Sequence, residues 1–170
     1  GIFMQYSNRF QTDAYYLRSC AKPLQATLLV DNNVDLTEEE LALCCGSHAG
    51  EECHIKVARG ILEKFDIDEN LLRCGVHAPL ARSMQDKMLL RGEKATAIHN
   101  NCSGKHIGFL VLCKVMGWDM LTYDRPEHPL QVAIKNKINT LANLPCPKEE
   151  SWSEGAIQPC LLYTSDAADE

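Results

Sequence analysis

The densest group of reactive side chains in this sequence is the segment His99–His106, which reads HNNCSGKH. It contains two imidazoles, a thiol, a hydroxyl and an amine. The apolar run Ile107–Leu112 follows directly and predicts a buried helix that begins at the segment. Because the N-terminus of a helix stabilises thiolates and other anions, the segment indicates either a metal site or an activated nucleophile.

The residues of this segment are compatible with several kinds of site. Cys102 and His106 are one helical turn apart, as a thiolate nucleophile and its base would be. Cys102 and Lys105 are three residues apart, but Cys102 has no CxxC partner, so a metal site here would be open. The S-G-K sequence lacks the preceding glycine of a phosphate-binding loop, which argues against nucleotide binding. Taken singly, His99, His106 and His128 are best interpreted as core or capping histidines.

A serine and a lysine at positions 19 and 22 form an S-x-x-K motif. On a helix, Ser19 and Lys22 lie on the same side of one turn, where the amine could take the proton of the hydroxyl. A lysine acts as a base only when burial or a nearby charge favours its neutral form, and Arg18 could supply such a charge. The motif alone is weak support for a catalytic pair.

A second serine, Ser47, lies in the glycine-flanked segment Gly46–Gly50, for which we predict a tight turn. Such a turn can present a side chain to a ligand, although the simpler interpretation is a turn or capping serine. No lysine follows at short range, so any base for Ser47 must come from elsewhere in the fold.

Helical periodicity extends over most of the chain and positions these residues. Pro23 falls in the first turn of one predicted helix, which places Ser19 and Lys22 near a helix start. A capping box that begins at Thr37 precedes the next helix. A short edge strand is predicted for Gly1–Asp13. The predicted helices span residues 16–26, 38–44, 51–65, 81–90, 105–116 and 129–144. The predicted inward residues are Ile55, Ala58, Ile61, Leu62 and Phe65 in the third helix and Leu130, Ile134, Ile138 and Leu141 in the last.

The composition argues against several classes of protein. The chain has 170 residues and a net charge of -6, with no block of Lys and Arg, so nucleic acid and anionic membrane surfaces are disfavoured as partners. No stretch approaches the about 18 apolar residues of a membrane span. The nine cysteines, among them the adjacent Cys44 and Cys45, are expected to be reduced. We expect a cytoplasmic protein with a small soluble ligand.

Both ends of the chain look artificial. Residues 160–170, CLLYTSDAADE, resemble the translation of a transposase adapter used to prepare sequencing libraries, and the chain begins without methionine. We expect residues 1–159 to be the N-terminal part of a single longer domain and residues 160–170 to be an artefact.

Four segments taken together resemble one protein family, in order and in spacing. They are RSCAKPLQ at residues 18–25, CGSHAGE at residues 45–51, HNNCSGKH at residues 99–106, and residues 117–131 with GW at their start and PEHPLQ at their end. They are similar to the asparaginase II family, the rhizobial-type or class 3 L-asparaginases. The resemblance covers the chain from about Leu17 to Pro159.

The resemblance implies a fold and an activity. The fold would be α+β, similar to serine β-lactamases and glutaminases, with a mixed sheet beside a helical lobe and with the C-terminal half missing. The activity would be that of an L-asparagine amidohydrolase, which releases aspartate and ammonia by serine–lysine acyl transfer. A homodimer is expected for the full-length protein.

The resemblance also implies roles for single residues. Ser19 and Lys22 match the first of two Ser-Lys tandems, and Ser47 matches the serine of the second. The lysine of that second tandem belongs to the missing half, so the 170-residue chain itself is expected to be inactive. Arg18 matches a further residue of the catalytic site. The polar substrate site would include His106 and Glu154.

The resemblance implies a zinc site that is incomplete in this chain. Cys102 and Lys105 match two of its three protein ligands. The third ligand of the family is a cysteine, and Ala156 stands at its place here. Zinc is therefore expected to bind weakly or not at all.

Two alternatives come from other classes of protein. A penicillin-recognising serine hydrolase also carries S-x-x-K, but its S-D-N and K-T-G motifs are absent from this sequence. A non-catalytic zinc or redox module could be built on Cys102 and His106, although the ordered serine–lysine segments argue against it.

Overall fold

A computed structural model describes residues 18–142 of the chain, with side chains described for residues 19–141. Within this range the chain forms six α-helices joined by loops and three short 3-10 helices. The α-helices are α1 (Lys22–Asp31), α2 (Glu38–Cys45), α3 (Glu52–Lys64), α4 (Arg82–Arg91), α5 (Ser103–Met116) and α6 (Pro129–Ala142). The 3-10 helices are Arg18–Ala21, Glu69–Leu71 and Ala97–His99.

The predicted α+β fold, a mixed sheet beside a helical lobe, is wrong, because residues 18–142 form helices, turns and loops without a strand. In this range the apolar residues recur every three or four positions, as they do in α3, so a helix rather than a strand gives them a common buried face. The sheet was implied by the family resemblance and not by this periodicity. The strand predicted for Gly1–Asp13 lies outside the described residues.

The predicted helix starts are confirmed where capping chemistry defines them. Thr37 and Glu40 form the expected capping box: the Glu40 N–H donates to Thr37 Oγ1 at 3.2 Å, and the Thr37 N–H donates to Glu40 Oε2 at 2.8 Å. Pro23 lies in the first turn of α1, where its missing N–H costs no helical hydrogen bond. The predicted helix after the segment His99–His106 is α5.

Two local predictions are wrong. Gly46 is extended, with φ -137° and ψ -179°, so α2 runs into an extended segment rather than a tight turn. Leu141 is 48% exposed, whereas Leu130 and Ile134 on the same helix are buried. The apolar face of α6 is therefore covered at its start and open at its end.

The core is organised around α5. Every residue from Ser103 to Cys113 is buried, which is expected of a helix that is surrounded by other elements. The helices α1, α2, α3 and α6 all pack against it. Within residues 18–142, none of the helices has both the length and the apolar character that a bilayer crossing requires.

The closest approach in the core is between α2 and the start of α5. A Cβ atom on Gly104 would overlap the carbonyl oxygen of Leu43, and one on Gly108 would lie 3.2 Å from the Cβ of Cys44. The two glycines thus let the backbone of α2 reach α5. The loop that follows α2 is brought beside the first turn of α5 in this way.

Candidate active site

The centre of the candidate site is a contact between Lys22 and Ser47. Lys22 is the first residue of α1 and is 1% exposed. Its Nζ donates hydrogen bonds to Ser47 Oγ at 2.6 Å and to Cys102 Sγ at 3.2 Å. Lys22 lies 25 positions from Ser47 and 80 positions from Cys102 along the chain. The fold therefore brings one buried amine to both a hydroxyl and a thiol.

Ser19, which the sequence pairs with Lys22, lies in the 3-10 helix before α1 and is exposed. In the part of the chain that the structure describes, the hydrogen bonds of Lys22 go to Ser47 and Cys102 and not to Ser19. The lysine of the first tandem thus contacts the serine that matches the second. Ser47 was expected to draw any base from elsewhere in the fold, and Lys22 is the amine that lies beside it in the described structure.

His48 fastens the loop that carries Ser47. The backbone N–H of His48 donates to the carbonyl oxygen of Asn101 at 3.1 Å. On the imidazole, Nε2 lies 2.9 Å from Ser103 Oγ, and Nδ1 accepts the N–H of Gly50 at 3.1 Å. His48 is buried, so these bonds are shielded from water. They tie the loop to the start of α5.

The hydrogen bonds around His48 define its tautomer. The Ser103 hydroxyl donates to the carbonyl oxygen of Ile98 at 2.8 Å, so its oxygen can only accept from His48. The proton is therefore on Nε2, and Nδ1 is the acceptor for Gly50. Burial lowers the pKa of His48 to about 4, and the neighbouring His54 acts in the same direction. The ring is neutral at physiological pH.

Asn100, to which the sequence argument gave no role, shapes the turn before α5. It is fully buried; its Oδ1 accepts the N–H of Cys102 at 2.8 Å, and its Nδ2 donates to the carbonyl oxygen of Cys74 at 2.7 Å. Asn100 thereby fixes the backbone position of Cys102, whose thiol lies beside Lys22. The signal in the sequence was the pair of amide residues directly before Cys102.

His106 lies behind the site in the core and pairs with Tyr123. Its Nδ1 is 2.8 Å from the Tyr123 hydroxyl, which also accepts the N–H of Arg73 at 2.8 Å. Tyr123 therefore donates to Nδ1, and Nε2 carries the proton; this buried atom has no partner among the described residues. Burial, with the neighbouring Lys105, holds the pKa of His106 well below its usual range. The described bond between His106 and Cys102 joins their backbones, from the His106 N–H to the Cys102 carbonyl oxygen at 3.2 Å. Among the described residues the imidazole makes no hydrogen bond to the thiol, so the geometry does not support that pair as base and nucleophile.

The other two histidines singled out in the sequence are capping residues, as their simpler interpretation predicts. His99 Nδ1 accepts the N–H of Thr96 at 3.0 Å. His128 Nδ1 accepts the N–H of Leu130 at 3.1 Å, at the start of α6. Neither contact involves Lys22 or its partners.

The electrostatic setting of Lys22 combines burial with two helix ends. α1 begins at Lys22 itself, and α5 begins at the residue after Cys102. Both N-termini are positive ends of helix dipoles, which stabilise anions and disfavour a cation. Within residues 18–142 no carboxylate forms an ion pair with Lys22. This setting favours a developing negative charge nearby.

A cavity of about 370 Å³ opens beside Ser47. One wall comes from the end of α2 and the loop after it, and the other from the first turns of α3. The lining residues include Leu43, Gly46, Ser47, His48, His54 and Val57. Ser47 is itself exposed, so a small molecule in this cavity could reach its hydroxyl.

The donors in the described range do not by themselves complete a zinc site. The thiol of Cys102 already accepts a hydrogen bond from Lys22, and Lys105 is buried at 2% exposure. Ala156, at the place of the third ligand, lies outside the described residues and carries a methyl group that cannot bind a metal. In the part of the chain that the structure describes, Cys102 belongs to no group of three His, Cys, Asp or Glu at ligand spacing. Zinc sites in proteins use at least three such ligands.

One other group of metal-binding side chains occurs in the described range, at the start of α3. The ligand atoms of Glu51, Cys53 and His54 lie within 4.8 Å of one another. His54 Nδ1, however, accepts the N–H of Glu51 at 3.2 Å as part of the cap of α3. The geometry of these three side chains is accounted for by helix capping.

Two of the residues predicted for the site cannot be located. The side chain of Arg18 and the whole of Glu154 lie outside the described residues. The structure thus brings together Lys22, Ser47 and Cys102 and leaves Ser19 at the surface.

Comparison with known proteins identifies the family. No curated protein matches the chain. A family model described as L-asparaginase II matches residues 5–160, which is most of the sequence and includes every residue of the contacts above. The chain belongs to the L-asparaginase II family.

Proposed function

We propose that this protein hydrolyses the side-chain amide of L-asparagine by acyl transfer to Ser47, with Lys22 as the base. The family supports an asparaginase-type hydrolase with a small-molecule substrate. The single observation that carries the mechanism is the 2.6 Å contact between Lys22 Nζ and Ser47 Oγ. It is the arrangement that a serine nucleophile and its general base require.

The protonation state of Lys22 decides whether this contact is productive. A serine hydroxyl is a weak nucleophile until a neighbouring base takes its proton. The proposed reaction uses the neutral amine of Lys22, whose lone pair accepts the Ser47 O–H across the same short distance. Lys22 would then hold the proton as the new bond forms.

The reaction proceeds in two steps, acylation of Ser47 and hydrolysis of the resulting ester. Ser47 Oγ bonds to the amide carbon of asparagine, and its proton passes to Lys22. The C–N bond then breaks as Lys22 returns the proton to the leaving nitrogen, which departs as ammonia and leaves an aspartyl ester on Ser47. In the second step water attacks that ester, and aspartate is released while Ser47 regains its proton.

Other groups would bind the substrate and the developing charge. The negative oxygen formed during attack would be stabilised by the positive end of α5. The substrate-binding role that the resemblance implies for His106 stays a prediction. Its Nε2 has no partner among the described residues, but the ring is fully buried and does not line the cavity beside Ser47.

The Lys22 contact changes one expectation for this chain. A second lysine was expected to be necessary for Ser47, and its absence led to the expectation of an inactive chain. Because Lys22 itself reaches Ser47, the bond-breaking step needs only residues that are present. We therefore expect at least one equivalent of ammonia per chain.

The test combines ammonia release with mapping of the acylated residue. The full chain is incubated with excess L-asparagine, ammonia is measured over time, and the acid-quenched protein is analysed by peptide mass spectrometry. We expect an aspartyl group on Ser47 and no ammonia from Ser47→Ala. Lys22→Met should lose about 100-fold or more in rate, which is the usual contribution of a general base.

Ser83→Ala, at an exposed position of α4, is the matched control and should behave as the wild type. An aspartyl group found on Ser19, with full ammonia release from Ser47→Ala, would overturn the assignment of Ser47. Absence of ammonia from the wild-type chain would overturn the activity itself.

A further inference from the structure

We propose that His48 is a positioning residue for Ser47: its imidazole fastens the Ser47 loop to the start of α5 and so holds the hydroxyl against Lys22. The inference rests on the proposed function, because it takes Ser47 and Lys22 as the reacting pair. Both ring nitrogens of His48 are already bonded to other groups, so His48 acts through the loop and not on the substrate.

The first support is the number and direction of the bonds. The backbone N–H of His48 reaches Asn101 at 3.1 Å, and its Nε2–H reaches Ser103 Oγ at 2.9 Å. Both acceptors flank Cys102, the residue that also contacts Lys22. His48 therefore attaches the residue next to Ser47 to the same turn that lies against Lys22, which fixes the distance between the two reacting groups.

The second support is that the hydrogen-bond chain runs in one direction only. The Ser103 O–H donates to the Ile98 carbonyl, the His48 Nε2–H donates to Ser103 Oγ, and the Gly50 N–H donates to His48 Nδ1. Each proton has one acceptor, so a different tautomer of His48 would leave a buried polar atom unpaired. An unpaired buried polar group loses its bonds to water without replacement, so the ring is locked in this orientation.

The third support is the close packing of Gly50 and His54 around the His48 imidazole. Gly50 has φ +72°, and a Cβ on it would lie 2.9 Å from the Cβ of Pro79 and 3.0 Å from the carbonyl oxygen of His99. The N–H that bonds to His48 is thus held by tight packing. On one face of the ring, His54 stacks at 5.3 Å between centroids, with the two planes 20° apart.

The chain offers a matched control in His128. Its Nδ1 accepts the N–H of the residue two positions later, at 3.1 Å, as in His48, and its Nε2–H donates to the carbonyl oxygen of Asp119 at 2.9 Å. It is buried to a similar degree. None of its partners belongs to the candidate site, so replacing His128 removes the same kind of bonds without touching the Ser47 loop.

The experiment measures ammonia release by the full chain over a range of L-asparagine concentrations for the wild type and for His48→Ala, His48→Gln and His128→Ala. We expect His48→Ala to lower the maximal rate about 100-fold, as misplacement of a reacting group by about 1 Å does, with little change in the half-saturating concentration. His48→Gln keeps a donor for Ser103 and should recover part of the rate. His128→Ala should keep the rate of the wild type.

A spectroscopic measurement covers the case in which His48→Ala does not fold. Nitrogen NMR of the 15N-histidine-labelled wild-type chain near neutral pH should show His48 as the neutral Nε2–H tautomer, and Ser103→Ala should disturb that signal. The Nδ1–H tautomer, or an imidazolium, would overturn the proposal. So would a wild-type rate in His48→Ala, or an equal loss of rate in His128→Ala. A wild-type chain that releases no ammonia would instead overturn the proposed function, while the tautomer would still report on His48.

Discussion

At the scale of single residues, the site depends on which polar atoms are paired. Lys22 is buried with a hydroxyl and a thiol as partners, whereas a lysine held for structure alone is usually paired with a carboxylate or extends to water. The two buried histidines nearby, His48 and His106, are both neutral with the proton on Nε2. The two imidazoles are therefore buried without charge.

This property predicts how stability depends on pH. Burial lowers the pKa of His48 to about 4 and that of His106 well below the ordinary value of 6.5, while in the unfolded chain both titrate near that value. Between these limits the unfolded chain binds more protons than the folded one. The two histidines therefore make their full contribution to the free energy of unfolding above about pH 6.5. That contribution falls as the pH decreases towards about 4.

Urea unfolding of the wild type should accordingly give a lower free energy of unfolding at about pH 5 than at about pH 7. Burial also lowers the pKa of His99, so His48 is one of three such histidines in the described range. In His48→Gln one of these titrating groups is gone, so the difference between the two pH values should shrink. An unchanged difference in that variant would show that His48 does not contribute to the pH dependence.

The residue-level predictions from sequence succeeded where the chemistry is local. Pro23 correctly placed Ser19 and Lys22 near a helix start. His99 and His128 accept backbone N–H groups at the starts of a 3-10 helix and of α6, as expected of capping histidines. The contact of Lys22 with Ser47 could not be derived in this way. It depends on how α1 and the loop after α2 meet, and no local pattern encodes that distance.

At the scale of helices, the site is a consequence of how closely α2 and α5 pack. Gly104 lies directly against the backbone of Leu43, two residues before α2 ends. Ser47 follows that end, and Cys102 precedes Gly104 by two positions. The separation of the two helices therefore controls whether Ser47 reaches Lys22.

Replacing this glycine should disturb both stability and chemistry. The added methyl group of Gly104→Ala would overlap the Leu43 carbonyl, so α2 and α5 must move apart. We expect a loss of about 1–3 kcal/mol in the free energy of unfolding, which is usual for an overpacked core, and a lower rate of ammonia release. Urea unfolding and the ammonia assay measure the two effects.

Gly60→Ala in α3 is the matched control, because nothing lies within 4 Å of the Cβ that it would add. At this position the higher helix propensity of alanine should raise the free energy of unfolding by up to about 1 kcal/mol. If Gly104→Ala had the same free energy of unfolding as Gly60→Ala, the result would contradict the close packing of α2 on α5.

The sequence predicts the helices of this fold better than their assembly. The capping box at Thr37, Pro23 in the first turn of α1 and the apolar face of α3 each specify a local structure, and each is confirmed. The mixed sheet is wrong for the described range, because it came from a resemblance and had no alternating pattern to support it. Leu141 is a second case in which the sequence was not sufficient. Periodicity places it on the apolar face of α6, but whether that face is buried at Leu141 depends on which elements pack against it.

At the scale of the whole molecule, the candidate site joins three distant segments around α5. The first residue of α1, the loop after α2 and the turn before α5 each contribute one group, namely Lys22, Ser47 and Cys102. The zinc site implied by the resemblance would add a fourth segment near Ala156. Its occupancy therefore tests whether the distant part of the chain reaches α5.

Metal analysis of the dialysed full chain should find much less than one zinc ion per molecule, because Cys102 and Lys105 supply two of the three protein ligands and Ala156 has no donor atom. In Ala156→Cys a thiolate is restored at the third position, so zinc content should rise towards one per chain, and a further Cys102→Ser change should abolish the gain. Ala78→Cys, an exposed position in the loop before α4, adds a thiol elsewhere and should leave zinc content unchanged. Stoichiometric zinc in the unaltered chain that persists when Cys102 is replaced would contradict the prediction, since the metal would then be held by other residues.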